Sequence, residues 1–200
     1  MTKYLTSYGN IFDEAFSLVM ELEGIVLTND PDDPGGMTIC GISRVHNPHW
    51  KWWDEIDNAI SNKKLKYNTN VPKAFVSTYV ADFYYENYWL KYSCNELSKE
   101  LATEVFEQAI NPGPMIMTRN LQECLNAINY NTKTKTKDVG DLVVDGKWGK
   151  NTKARLLEYA KKNNNFLVKA MNAKQASYYL SLATSNVAMR KFIKGWLNRA

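Results

Sequence analysis

Glu23 closes an apolar run with helical spacing, and Gly24 follows it at once. An acidic turn comes next, Asp30-Pro31-Asp32-Asp33-Pro34-Gly35-Gly36, and Thr38 then leads into Gly41-Ile42-Ser43. One carboxylate on a rigid element therefore stands beside a tight loop that carries three more. Cleavage of a glycosidic bond asks for this combination: an acid to protonate the leaving oxygen, and a negative, polar surface to support the cation that develops. A general acid must hold its proton near neutral pH. At Glu23 three influences point that way: the unpaired carbonyls of a helix C-terminus, the nearby aspartates, and desolvation by Leu22 and Ile25. The plain alternatives are a surface glutamate and an acidic turn with no chemistry. An EF-hand-like calcium loop starting at Asp30 is disfavoured, because Gly41 occupies the place of its last carboxylate ligand.

The elements that must position these groups read as mainly α. Ile11, Phe12, Ala15, Phe16, Val19 and Leu22 predict a helix over 10–23, with Asn10 as N-cap and Gly24 as C-cap. Residues 25–43 read as loop with room for a short strand. Trp50, Trp52 and Trp53 open a second element. A long helix follows over 72–90, with Pro72 in its first turn. Further helices over 96–110 and 115–130 are separated by Asn111-Pro112-Gly113-Pro114. The tract Thr132-Lys133-Thr134-Lys135-Thr136-Lys137 reads as an exposed basic loop. Residues 142–149 read as a short strand or turn, Thr152 starts a helix, and one or two more helices fill 164–200.

Two hundred residues make one domain, or one with an appendage. The net charge of +4 hides a division: residues 1–129 sum to −7 and residues 130–200 to +11. Two separate jobs, or mutual neutralisation across an internal interface, would each account for it. Lys133, Lys135, Lys137, Lys147, Lys150, Lys153 and Arg155 form a basic series without a recognition helix or an RNA-binding signature, so no nucleic-acid partner is expected. Cys40, Cys94 and Cys124 are far apart, and the two histidines, His46 and His49, share one loop. No metal site and no cofactor are expected, and the thiols suit a reducing compartment. The first residues lack an apolar signal core, and no stretch approaches the roughly 20 apolar residues of a membrane span. Synthesis in the cytoplasm without a signal peptide is the expectation. The twelve tyrosines and six tryptophans serve cores, and flat rings also suit sugar faces.

The string Glu23-Gly24, Asn29 through Thr38, then Gly41-Ile42-Ser43 resembles the signature of the glycoside hydrolase family 108 muramidases, which include phage endolysins and secretion-activator-type bacterial proteins. Tyr88-Trp89, Leu97 and Val105 through Pro114 resemble that family's second block. Asp145-Gly146, Gly149 and Thr152 resemble the core of small peptidoglycan-binding modules. The resemblance implies a lysozyme-like helical fold with a small C-terminal helical peptidoglycan-binding-like subdomain. Its boundaries would be 1–118 for the muramidase region and 119–200 for the rest. It implies hydrolysis of the β-1,4 bond between N-acetylmuramic acid and N-acetylglucosamine, with Glu23 as the acid; the second carboxylate stays open among Asp30, Asp32, Asp33 and Glu107, with Asp30 the first choice as its helper. Thr38, Tyr88, Trp89 and Asn111 fall where substrate would be held or the site framed. Departures from the pattern are Ile25, Glu107 and Pro112, where the family usually has Gly, Asp and a small residue. Peptidoglycan is the implied partner, a holin or secretion system the implied route to the wall, and a monomer the expected state. The alternative is a wall-binding or secretion-helper protein without catalysis, with 119–160 as its working part.

Overall fold

Helix α1 runs Asn10–Glu23, as the apolar spacing predicts, and buries Phe12, Phe16, Val19 and Met20. Its start differs from the expected cap. Gly9, at φ +104°, occupies the N-cap, and Asn10 is already helical. The first turn is secured by Asp13, which is buried and accepts from the Thr6 backbone N–H at 3.0 Å and the Thr6 hydroxyl at 2.5 Å. A carboxylate there also meets the positive end of the helix dipole. Gly24 ends the helix as predicted: its φ is +81°, and its N–H donates to Met20 O at 3.1 Å.

The computed structural model describes residues 2–30, 33–162 and 165–198, so Pro31 and Asp32 of the acidic turn lie outside the described residues. The chain is mainly α with a small sheet, and it divides into two compact units, Met1–Leu90 and Lys91–Ala200.

In the first unit α1 feeds a four-stranded antiparallel sheet. Its strands are β1 (Val26–Thr28), β2 (Thr38–Ile39), β3 (Ile42–Ser43) and β4 (Thr69–Asn70), in the order β3-β2-β1-β4. Leu27 pairs with Ile39, and Ile39 with Ile42, which lines three fully buried side chains across the sheet. Helix α2 (Trp53–Ser61) follows. Residues 73–90 form one continuous rod, α3, whose turns alternate between α and π: Lys73–Phe75, Val76–Val80 (π), Ala81–Tyr84 and Tyr85–Leu90 (π). Wide π turns are uncommon and often mark functional stretches. Asp82 pins the middle of α3. It accepts from the Tyr8 hydroxyl and the Trp52 indole, both at 2.8 Å, and pairs with Lys51 at 3.0 Å. Burial pushes the Asp82 carboxyl up, but these donors outweigh it and leave the group below the usual carboxylate range.

The second unit holds a short 3₁₀ turn (Cys94–Glu96), α4 (Lys99–Ile110), α5 (Pro114–Ala127), α6 (Lys150–Ala160), α7 (Phe166–Ser185), a second 3₁₀ turn (Val187–Phe192) and α8 (Ile193–Leu197). The helix predicted from 96 begins later, because Ser98 caps it by accepting from the Leu101 N–H at 3.4 Å. Residues 142–149 form a loop, not a strand. Helices α4, α5 and α7 pack around Val105, Phe106, Met117, Leu121 and Met171.

Polar side chains thread this second core. Gln108 and Gln175 are fully buried; Gln108 Nε2 donates to Met171 O at 3.1 Å and to Glu104 Oε1 at 2.5 Å. Gln175 Nε2 donates to Glu107 Oε2 at 2.5 Å and to Tyr179 Oη at 3.1 Å. The Asn172 side-chain nitrogen donates to Glu104 Oε1 at 2.6 Å and Oε2 at 2.5 Å. Burial raises the Glu104 carboxyl from 4.5 to about 7; the Gln108 donor opposes this and the Glu107 charge adds to it. The folded state thus binds this proton more tightly than the unfolded chain. Stability should fall as pH rises from about 4.5 to about 7 and level off above that. Denaturant unfolding between pH 4 and 8 checks this: Glu104→Gln should flatten that part of the profile, and an unchanged slope would reject the assignment.

All three cysteines are buried. Burial pushes the Cys40 thiol up to about 12, Cys124 to about 11, and Cys94 higher still.

Candidate active site

The β2–β3 hairpin returns the chain to the end of α1. Its turn is Cys40-Gly41, with φ +49° and +81°, the positive values that two-residue hairpin turns of the primed type require. Gly41 has no room for a side chain. A Cβ there would lie 2.7 Å from Tyr84 Oη and 3.8 Å from Glu23 Oε2. The turn, the Glu23 carboxyl and the Tyr84 hydroxyl therefore meet at one point. Tyr84, from α3, is buried and donates to Cys40 O at 2.8 Å, which locks the turn against the rod. Tyr88 lies one turn further along and stacks on Tyr84, with ring centroids 5.8 Å apart and planes inclined by 27°. Burial raises both phenols above their ordinary range, Tyr84 strongly, and the charge of Glu23 reinforces each shift.

Glu23 itself is exposed. Leu22 and Ile25, expected to shield it from water, are only partly covered. An exposed carboxylate beside two phenols, on a surface closed below by a glycine turn, can meet a polymer that lies across it. It does not occupy an apolar pocket of its own.

The acidic turn is held by its own backbone and by Asp33. Asp33 Oδ1 accepts from the Gly35 N–H at 2.8 Å, and Asp33 O accepts from the Gly36 N–H at 2.9 Å. Ser43 Oγ donates to Gly35 O at 2.6 Å and ties the turn to β3. Thr38 Oγ1 donates to Gly36 O at 3.2 Å, so this threonine shapes the turn from its far side. Asp30 is exposed at the start of the same turn, where its carbonyl accepts from the Asp33 N–H at 3.1 Å.

Of the residues singled out by sequence, Glu23 and Tyr88 come together, while Asp30 opens the acidic turn and Thr38, at the start of β2, braces it. Trp89 is 1% exposed and packs edge-on against Phe12 of α1, with centroids 5.3 Å apart. Asn111 belongs to the second unit, where it ends α4 and donates to Glu107 Oε1 at 3.0 Å. Sequence reasoning passed over Tyr84; its spacing of four from Tyr88 on a predicted helix was the available signal.

In the second unit, Gln122 of α5 is the hub of the Asp145-Gly146 turn. Its Oε1 accepts from the Asp145 and Gly146 N–H groups at 3.1 and 2.9 Å; its Nε2 donates to Asp145 Oδ1 at 2.9 Å and Thr152 Oγ1 at 3.1 Å. Beside this hub lies a cavity of about 530 Å³ lined by Lys147, Lys150, Thr152 and Arg155, among others.

Residues 16–113 match the family described as Glycosyl hydrolase 108, and residues 117–200 match the family described as Predicted Peptidoglycan domain. Among solved structures, the chain resembles SagA of Brucella abortus, with a TM-score of 0.52 and 23% sequence identity, over 94% of this chain and 88% of that one. At that identity the likeness speaks for a shared fold. No curated protein gives a significant match.

Proposed function

We propose that this chain, which belongs to the glycosyl hydrolase 108 family and carries a C-terminal peptidoglycan domain, cleaves the β-1,4 bond between N-acetylmuramic acid and N-acetylglucosamine with Glu23 as general acid. The observation that carries the reading is the convergence of the Glu23 carboxyl, the Gly41 turn and the Tyr84–Tyr88 pair at one surface. A glycan lying over Glu23 excludes water from the reacting bond. The acid then gives its proton to the leaving oxygen as the C–O bond breaks, and water adds to the anomeric carbon. Asp30, exposed on the acidic turn, is the group we assign to supporting that cation or directing the water. Tyr88 offers a ring edge and hydroxyl to the sugar. Thr38 acts by shaping the turn, and Trp89 by fixing α3 against α1. Asn111, engaged with Glu107, is assigned to framing. The second unit holds the enzyme on the wall, and its basic surface suits anionic wall polymers.

The test is the product. Full-length protein incubated with purified peptidoglycan should release new reducing ends; anhydro-sugar ends would instead mean cleavage without water. Sedimentation with the wall but no product of either kind would leave only the binding function and overturn the hydrolase reading.

A further inference from the structure

A second cleft opens in the first unit, between the loop after β3 and α3. It encloses about 350 Å³, at the small end of ligand-site volumes and enough for a sugar ring. Its walls include His46, Asn47, His49, Trp50, Phe83 and Asn87. Nothing in the Glu23 chemistry uses these groups.

Three observations say what this cleft suits. Its one lysine is already engaged: Lys51 Nζ lies 3.0 Å from both Asp82 and Glu86, three groups that sum to −1, so no positive field is left to select an anion. Its apolar surface is aromatic and stiff, since Trp50 packs edge-on against Phe83, at 5.6 Å, and against Trp53, at 4.9 Å. Its polar groups are amides, imidazoles and an indole, the kind that bind hydroxyls and acetamides. The Trp50 indole N–H is buried, and no described residue accepts from it. A buried donor without an acceptor is costly, and a ligand that accepts from it removes that cost. The Ser43 hydroxyl already donates to Gly35 O, so the hydrogen in the 2.9 Å contact between Ser43 Oγ and His46 comes from His46 Nδ1. That leaves Nε2 for a ligand, and links the cleft through Ser43 to the acidic turn. On the α3 side, Phe83 contacts Tyr88, with centroids 6.2 Å apart, so the cleft and the Glu23 surface share one aromatic row.

We propose that this cleft is an accessory glycan site that takes a neutral N-acetylhexosamine unit and anchors the polymer away from the scissile bond. The proposal rests on the first unit acting on glycan. The test uses the full-length Glu23→Gln protein and a tetramer of β-1,4-linked N-acetylglucosamine. The tetramer should shift the Trp50 indole N–H resonance. Replacing His49 and Asn87 together by Ala should weaken binding, read at that resonance, about tenfold, or about 1.4 kcal/mol. Both side chains are exposed, so the unfolding midpoint should stay where it is. An unmoved Trp50 resonance, or equal affinity in the double variant, overturns the site. So does a shift produced by inorganic polyphosphate and not by the tetramer. Wild-type protein that releases no reducing ends while the tetramer still moves Trp50 would sink the hydrolase reading and leave this site standing. Normal release with a silent Trp50 would sink this site alone.

Discussion

Replacing Glu23 by Gln is expected to lower the release of reducing ends from peptidoglycan by roughly 10²–10⁴-fold, the usual worth of a positioned general acid. Gln keeps the shape of the side chain but has no proton to give. Glu23 is exposed at the end of α1, so the substitution should move stability by no more than about 0.5 kcal/mol. Binding to the wall should persist, because the peptidoglycan domain occupies residues 117–200. The two readouts separate the outcomes. Lost turnover with retained sedimentation and an unchanged unfolding midpoint supports Glu23 as the acid. Full turnover by the variant removes it from the mechanism, whatever the product turns out to be.

The largest structural effect is expected at Gly41. An alanine there must hold a backbone at φ +81° that L-residues rarely adopt, a strain of about 1–3 kcal/mol. Its Cβ would also stand 2.7 Å from Tyr84 Oη, closer than carbon and oxygen tolerate. Tyr84 cannot swing aside freely, because it is buried and its hydroxyl donates to Cys40 O. Together these should cost about 2–4 kcal/mol, and turnover should fall too, since the Glu23 carboxyl borders the same point. The cause can be isolated. Tyr84→Phe removes the oxygen that clashes, at the cost of one hydrogen bond, about 1 kcal/mol. In that background Gly41→Ala should be milder by an amount that a double-mutant cycle reads directly. Strictly additive losses would show that the clash is not what Gly41 avoids.

Much of the arrangement is legible in the sequence, for reasons that differ by element. Helix α1 announces itself because six apolar residues keep one face over four turns and Gly24 can only end it. Of the sheet only room for a short strand in 25–43 is legible, because strands of two and three residues leave no alternation to detect. The rod α3 reads as helix, but its π turns do not: one extra residue per wide turn is within the scatter of an aromatic pattern. That shift changes which rings share a side, although the spacing of four between Tyr84 and Tyr88 joins them in an ordinary α-helix as well. Trp89 illustrates the opposite limit, since a tryptophan suited to sugar and one suited to the core look identical until burial is known. Asp33 could be read as a turn former or as a catalytic group; its bond to the Gly35 N–H shows that it forms the turn. Gln122 carries no signal at all, because a lone glutamine becomes a hub only when a distant turn folds onto it.

The buried thiols bear on a different matter, the response to oxidants. Reaction with oxidants and with other disulfides proceeds through the thiolate. Cys40, Cys94 and Cys124 are each withdrawn from solvent, and burial raises each thiol well above its ordinary range, so little thiolate forms near neutral pH. In an oxidising medium the folded chain therefore withholds all three thiols from cross-linking and mispairing.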